Sequence, residues 1–279
     1  MGDMTVERLP SSAFAPKTDL VYEDVNKLLP LFDQIAFKAN LILVGPKGVA
    51  KTLSIASWAA SNDCPIVTFD CSEDVRRAHL LGMFTLRGDE SPFVLGPLPT
   101  AIEVANEVGR CVLCLEEINA LTPSVQKMLN AIGDYRRRIE VPECQRVFEL
   151  DPKAKLWLCG TMNTSVYGGV YELNEDLKSR FRMLPVGYPG KGEETRILKA
   201  CVGNGVKKET VKDILTLAHE TRQKSLAYSL SPRDTVQILE DVGHCGLESA
   251  LLLASGKFEG QDRDFFLTRV SSVFGITLK

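Results

Sequence analysis

Leu41-Ile42-Leu43-Val44, then Gly45-Pro46-Lys47-Gly48-Val49-Ala50-Lys51-Thr52, then Leu53 to Ala60, is the stretch on which the reading of this chain turns. The apolar run predicts a buried strand, and Leu53 to Ala60 predicts a helix whose small residues pack on it. Between them the spacing is G-x-x-x-x-[G/A]-K-T, that of a phosphate-binding P-loop. Gly45 and Gly48 admit backbone conformations and close approaches that a Cβ would block. Nucleotide binding is therefore assigned to Gly45, Pro46, Lys47, Gly48, Val49, Ala50, Lys51, Thr52 and Leu53, where successive N–H groups and a helix N-terminus face a phosphate. Lys51 reaches the β- and γ-phosphates of ATP, and the Thr52 hydroxyl holds Mg²⁺. Ala50 stands where the strict pattern has glycine; its methyl group is small.

Working outward, Asp19 to Asn40 predicts a lead-in helix with Val25, Leu28, Leu29, Phe32, Ile35 and Ala36 on one face. Ile66 to Asp70 is a second strand and Val75 to Leu81 a short helix. Gly82 to Gly96 reads as a hairpin insert, two short β-like runs around a turn-rich tip from Arg87 to Pro92. Thr100 to Glu107 returns as helix, and Cys111 to Leu115 is a third buried strand ending in Glu116-Glu117. Thr122-Pro123 opens a helix, with Thr as cap, Pro in the first turn, and Val125, Met128, Leu129 and Ile132 as its apolar stripe. Arg136-Arg137-Arg138 reads as a solvated turn in preference to a phosphate or partner contact, and Ile139 to Leu150 as a second hairpin. Leu156 to Cys159 is a fourth strand running into Gly160-Thr161-Met162-Asn163. Asp176 to Arg182 is a short polar helix and Met183 to Val186 a fifth strand.

Tyr188-Pro189-Gly190-Lys191-Gly192 marks a domain boundary, beyond which the pattern is helical: Glu193 to Val202, Lys208 to Lys224, Pro232 to Val242, Leu247 to Ser255 and Phe265 to Phe274. Strand–helix alternation followed by helices alone predicts an α/β fold. Its core is a mostly parallel five-stranded sheet with β-hairpin inserts, followed by a small C-terminal all-α lid. The expected division is a flexible arm over 1–18, a nucleotide-binding core over 19–189 and the lid over 190–279.

The chain has 279 residues, 44% hydrophobic and 25% charged, enough for one large or two modest domains with a sizeable core. No apolar run is long enough to span a bilayer, and Met1 to Pro16 lacks the basic-then-apolar design of a signal peptide. A cytoplasmic location without membrane association is expected. The net charge of −3 gives no electrostatic case for nucleic-acid binding. Eight cysteines, several in apolar runs, are expected as reduced thiols. Cys111-Val112-Leu113-Cys114 has zinc-knuckle spacing, but it lies in a buried strand with no second Cys or His pair facing it.

A P-loop alone says only that a nucleoside triphosphate is bound. Val112-Leu113-Cys114-Leu115-Glu116-Glu117 adds a Walker B arrangement, with carboxylates at the end of a strand beside the P-loop strand. Glu116 would hold the magnesium shell, and Glu117 would orient or deprotonate the attacking water. Aspartate is usual at the first position; Glu116 is one CH₂ longer, so it needs a slight retreat of the strand or an altered metal shell. Asn163, after the fourth strand, can hydrogen-bond the water and the γ-phosphate. In Ser179-Arg180-Phe181-Arg182, an arginine supplied to a neighbouring subunit would stabilise transition-state charge. In Ser231-Pro232-Arg233-Asp234, Arg233 could reach back to the γ-phosphate.

In that order these signals resemble the AAA+ ATPases, and within them the MoxR/dynein-related branch, over roughly Leu20 to Gly243. The matching stretches are GPKGVAKT, GMFTLRGDESPFVLGPLPTAI, LEEINALTPSVQKMLNAI with its Asn119, GTMN, SRFR with the later YPG, and LSPRD. Alanine at position 50 is common in that branch, whereas Glu116 departs from it. The resemblance implies a hexameric homo-oligomeric ring with ATP between protomers. Arg180 of one protomer, or as second choice Arg182, would face the site of the next. It places Val21 and Tyr22 at the adenine pocket. It also implies an ATPase that remodels or assembles a client protein complex, as a chaperone or chelatase-type motor, through the Arg87 to Pro92 tip. Phe93 is either an apolar grip there or a buried anchor. Two other readings stand beside it: a scaffold that binds ATP without useful turnover, and a DNA-associated motor, against which the acidic balance argues.

Overall fold

Asn40–Val44 forms a strand because Leu41, Ile42 and Leu43 lose essentially all contact with solvent, being at most 1% exposed. In the computed structural model, which describes residues 5–163, 171–202, 206–224 and 226–278, it is one of ten strands. In chain order these are β1 (Val6–Glu7), β2 (Asn40–Val44), β3 (Ile66–Asp70), β4 (Gly82–Phe84), β5 (Phe93–Leu95), β6 (Arg110–Glu116), β7 (Arg138–Val141), β8 (Arg146–Glu149), β9 (Lys155–Met162) and β10 (Phe181–Pro185). Five of them make a wholly parallel sheet in the order β10-β2-β9-β6-β3. Both faces of its central strands are covered by other elements, which is why β2, β6 and β9 read as continuous apolar runs rather than alternating ones.

The helices of this α/β layer are α1 (Leu28–Ile35), α2 (Lys51–Ser61), α3 (Arg77–Leu81), α4 (Pro97–Val108), α5 (Pro123–Gln126), α6 (Leu129–Gly133) and α7 (Glu175–Lys178). Trp157 of β9 is fully buried, donates its indole N–H to Ala39 O at 3.0 Å, and meets Phe32 of α1 and Trp58 of α2 edge-on. That aromatic cluster seats α1 and α2 on the sheet. The expected lead-in helix is shorter than its periodicity suggests. Lys27 and Phe37 take left-handed φ values of 54° and 61° and break the helix on either side, although Val25, Leu28, Phe32 and Ala36 are buried as expected.

The helix predicted from Thr122 is two helices. Between them Met128 and Asn130 donate to Val125 O and Lys127 O, three residues back, so the α ladder lapses into a tighter one. The Thr122 side chain does not cap it; its hydroxyl pairs with Ser124 Oγ at 3.1 Å. β10 begins at Phe181, so Arg182 is a strand residue rather than the end of the preceding helix.

Both hairpins are present. β7 pairs antiparallel with β8, and β4 with β5. Phe93 is fully buried at the loop end of the second pair, opposite Phe84, with its ring 5.2 Å from that of Phe84; it is an anchor, while Met83, Phe84 and Leu86 are exposed. The expected flexible arm needs correction over its described part. β1 adds in parallel to β5, and Arg8 forms ion pairs with Glu103 and Glu107 of α4. Residues 1–4 lie outside the described residues.

The chain divides into two compact units, Met1–Leu20, Leu28–Gly45 and Lys51–Val186 in the first, Val21–Lys27, Pro46–Ala50 and Gly187–Lys279 in the second. The break near Val186 lies three residues before the expected one at 189. The assignment of 21–27 and of P-loop residues 46–50 to the second unit has no counterpart in the sequence reading. That unit holds α8 (Lys191–Val202), α9 (Lys208–Gln223), α10 (Pro232–Cys245), α11 (Leu247–Ser255) and α12 (Gly260–Phe274) around Leu198, Leu217, Leu239, Leu251 and Phe266. Among the described residues no helix is long and apolar enough to cross a membrane.

Candidate functional site

Parallel strands present all their C-terminal ends along one edge of the sheet, the edge where α/β sheets bind ligands. β2 leads there into the P-loop, β6 into Glu116-Glu117 and β9 into Asn163. The carboxylates do not sit on the strand next to β2: β9 lies between β2 and β6, so Asn163 stands between the P-loop and the acidic pair.

Glycine at the loop entrance is forced by packing. A Cβ on Gly45 would lie 2.0 Å from Val186 O. The backbone is pinned there by Gly45 N–H to Met162 O at 3.1 Å and Val186 N–H to Val44 O at 2.7 Å. Gly48 has φ 75°, and a Cβ there would meet Ser231 Oγ at 2.2 Å. Ala50 carries φ 61°, a left-handed backbone held by a residue with a side chain.

Lys51, at the first residue of α2, is 8% exposed. Its ammonium donates to Gly45 O at 2.9 Å and Asn163 Oδ1 at 3.0 Å. Thr52 Oγ1 donates to Glu116 Oε2 at 2.7 Å, so the extra CH₂ of Glu116 spans the distance to the P-loop threonine. Glu117 takes a left-handed conformation, φ 51° and ψ 45°, and its N–H is held by Thr161 Oγ1 at 3.2 Å. Asn119, 3% exposed, donates from Nδ2 to Asn163 O at 3.3 Å and accepts Tyr171 N–H at its own carbonyl, tying the Walker B turn to the end of β9.

Asp70 of β3 is register partner to Glu116, which adds a third carboxylate to this edge. Cys71 registers the resulting field. Its thiol is pushed up to about 12, first by burial and then by the negative charges of Asp70, Glu116 and Glu117. Cys111 and Cys114 lie fully buried in β6, where burial raises both thiols far above their ordinary range.

Thr52 and Glu116 offer hard oxygen donors in mutual contact, which suits Mg²⁺. Magnesium is usually held by one or two side chains together with phosphate and water, and among the described residues no cluster of three or more ligating side chains occurs.

Arg180 lies elsewhere. In the β10–β2 pairing Phe181 is opposite Asn40 and Pro185 opposite Val44, so Arg180 sits at the N-terminal edge of the sheet. The P-loop begins at Gly45, five residues beyond Asn40 along β2, about 17 Å away at ~3.3 Å per residue. Arg180 is half-buried, donates from Nη1 to Asp176 O, and has a buried Nε without a hydrogen bond among the described residues. Arg182 is exposed on β10, an edge strand.

Within the second unit, Arg233 is the second residue of α10, exposed, with its Cβ 3.5 Å from where a Gly48 Cβ would lie. The helix start beneath it is a capping box. Ser231 Oγ accepts from Asp234 N–H, and Asp234 Oδ2 accepts from Ser231 N–H at 2.8 Å and Oγ at 2.6 Å. Asp234 Oδ1 accepts the Tyr228 hydroxyl at 2.7 Å and the Lys257 ammonium. Burial pushes the Asp234 carboxyl up, but Lys257, Ser231 and Tyr228 outweigh it and hold the group below its usual range. Val21 is 54% exposed, and the Tyr22 hydroxyl bonds Asp24 at 3.0 Å.

The sequence reading missed Thr161, Asp70 and the Ser231–Asp234 box. The S-x-x-D spacing and the acid ending the second strand were the available signals for the last two.

Compared with known proteins, residues 40–181 match the family model for the AAA domain of the dynein-related subfamily. An uncharacterised protein of Staphylococcus saprophyticus is 26% identical over 185 residues, covering 64% of this chain and 65% of that one. An uncharacterised protein of Staphylococcus aureus strain USA300 is 31% identical over 168 residues, covering 58% and 60%. The chain thus spans less than two thirds of the length of either relative. Among solved structures, a candidate ATPase of Cytophaga hutchinsonii aligns with TM-score 0.50 at 16% identity over 94% of this chain and 92% of its own. The Thermotoga maritima RuvB Holliday junction branch migration motor aligns with TM-score 0.50 at 17% identity over 89% and 68%. At such identities the likeness is one of fold.

Proposed function

This chain belongs to the dynein-related subfamily of AAA domains, and from that premise we propose that it is a Mg²⁺-dependent ATPase of MoxR-like type that works in a ring to remodel or assemble a client protein complex. The observation that carries the reading is the convergence at one sheet edge of Lys51, Thr52, Glu116 and Asn163 through contacts of 2.7–3.0 Å, with Glu117 turned out beside them. Main-chain N–H groups of the P-loop and the start of α2 receive the phosphates. Lys51 moves from Gly45 O and Asn163 Oδ1 onto the β- and γ-phosphate oxygens. Thr52 and Glu116 would hold Mg²⁺, which when bound would supply neutralisation of the phosphate charge. Glu117 takes a proton from water as its oxygen attacks the γ-phosphorus and the bond to the β–γ bridging oxygen breaks, leaving ADP and phosphate. Asn163 orients that water, and Arg233 senses the γ-phosphate.

The arginine stabilising the transition state comes from a neighbouring protomer. What supports this is the position of Arg180 at the sheet edge opposite its own P-loop. A second reading, an ATP-gated scaffold, is favoured by Glu116, whose carboxylate already engages Thr52. Steady-state ATPase and nucleotide-binding assays on wild type and Glu117→Gln separate the two. Turnover that requires Glu117 supports the motor; tight binding without turnover in wild type supports the scaffold and overturns the motor.

A further inference from the structure

α8 and α9 leave a cavity of about 410 Å³ between them, lined only by residues of the second unit, and within the ~300–1,000 Å³ of ligand clefts. Its floor is apolar: Leu198 and Val202 from α8, Val211 and Leu215 from α9, and Leu239 from α10. Its walls are two matching stripes. Thr195, Leu198, Lys199 and Val202 recur at i, i+3, i+4 and i+7 on α8, and Lys208, Val211, Lys212 and Leu215 at the same spacing on α9. With Lys191, four exposed ammonium groups therefore rim an apolar trough.

Three cations of the unit are matched to carboxylates, Arg222 to Glu194, Lys257 to Asp234 and Arg269 to Glu220, whereas the cavity lining brings four lysines together with no carboxylate among them. Among the described residues, Lys191, Lys199, Lys208 and Lys212 form no such pair. The two acids of α8 are engaged elsewhere, Glu194 with Arg222 and Glu193 with Gly190 N–H. Unmatched positive charge around an apolar floor selects a ligand that is apolar on one side and acidic on its flanks. Because both walls are helices, whose main-chain groups are bonded internally, the trough offers no strand edge, and the ligand fits as a helix laid in a groove.

We propose that this groove docks an acidic amphipathic helix of a partner protein. The helix places leucine-sized anchors on Leu198, Val211 and Leu215 and its Glu or Asp side chains against the four lysines. The proposal goes beyond the ATPase reading and is tested by binding alone, so either can fail without the other.

The probe is a fluorescent peptide of about four helical turns with Leu at i, i+3, i+4 and i+7 and Glu on both flanks. A control peptide has every Glu replaced by Lys. Anisotropy titration of the full chain is expected to show saturable binding of the Glu peptide only. Lys208→Glu/Lys212→Glu is expected to weaken it at least about tenfold, as is high salt, with thermal midpoint and ATPase rate unchanged. Val211→Asn should weaken it as well. No binding, equal binding of the Lys peptide, or equal binding to the double variant overturns the proposal. So does a change in oligomeric state of Lys208→Glu/Lys212→Glu by light scattering without peptide binding, which makes the groove a contact between copies of this chain. Uptake of decanoate in place of the peptide assigns the cavity to small anions and overturns it too.

Discussion

In the proposed ATPase, Lys51 and Glu117 divide the work at the P-loop edge differently, and substitutions read that division separately. Lys51→Ala removes a charge-assisted donor and is expected to weaken ATP binding by about 10–100-fold, measured by titration calorimetry. Glu117→Gln keeps the shape of the side chain but removes the proposed base, so kcat is expected to fall by ~10²–10⁴ with ATP affinity retained. Ala50 has a different role. Its left-handed φ of 61° costs about 1–2 kcal/mol, against ~0.5–1 kcal/mol for the added backbone entropy of glycine. Ala50→Gly is therefore expected to raise stability by about 0.5–1 kcal/mol in urea unfolding; a loss of stability contradicts the strain. The positions of Lys51, Glu116 and Asn163 were legible because spacing along a strand–loop–helix nearly determines them. The support of Glu117 by Thr161 was not, since those residues meet only where β6 and β9 run side by side.

At the level of elements, the second unit is held by two polar devices. Glu194 is fully buried and accepts both Arg222 Nη1 at 2.7 Å and Nη2 at 2.9 Å, with Thr235 Oγ1 at 2.9 Å, so one carboxylate ties α8, α9 and α10. Arg222 also lies 4.5 Å over the Tyr188 ring. Glu194→Gln leaves a buried guanidinium without its counter-charge and is expected to cost about 3–5 kcal/mol, seen as a lower urea midpoint. The second device is the Asp234 capping box. Asp234→Asn is expected to cost about 1–2 kcal/mol near neutral pH. The folded Asp234 carboxyl is held below its unfolded value, so the wild type's advantage is fully present above the unfolded value of about 4 and is lost as pH falls through the lower folded one. Urea midpoints of both proteins across that range should converge at the acid end; a constant gap contradicts the assignment. The helical periods that predicted these elements were reliable where apolar stripes are long, as in α9 and α10. They overran at α1, where left-handed φ values at Lys27 and Phe37 end the helix despite a continuing stripe.

For the whole molecule, the proposed ring calls for a transition-state arginine supplied by a neighbour. With Arg180 at the far edge of the sheet from its own Lys51, Arg180→Ala is expected to bind ATP nearly as wild type does and to lose turnover by about 10³-fold or more. Mixed with Glu117→Gln protein, it should regain part of that turnover at seams joining two intact halves. No rescue at any mixing ratio excludes supply from a neighbour.

What the sequence by itself determined was local: the P-loop, the paired carboxylates, the order of strands and helices, and the shift from alternation to helices alone. Each depends on residues close together along the chain, where spacing and solvent affinity suffice. Only the tertiary structure decided that β9 separates the P-loop strand from the carboxylate strand and that Arg180 lies at the edge of the sheet opposite its own Lys51. It alone decided that residues before β2 dock on the insert, and that four lysines surround one apolar trough. Those facts follow from strand order and helix packing, which bring together residues far apart in the chain and leave no periodic mark on it.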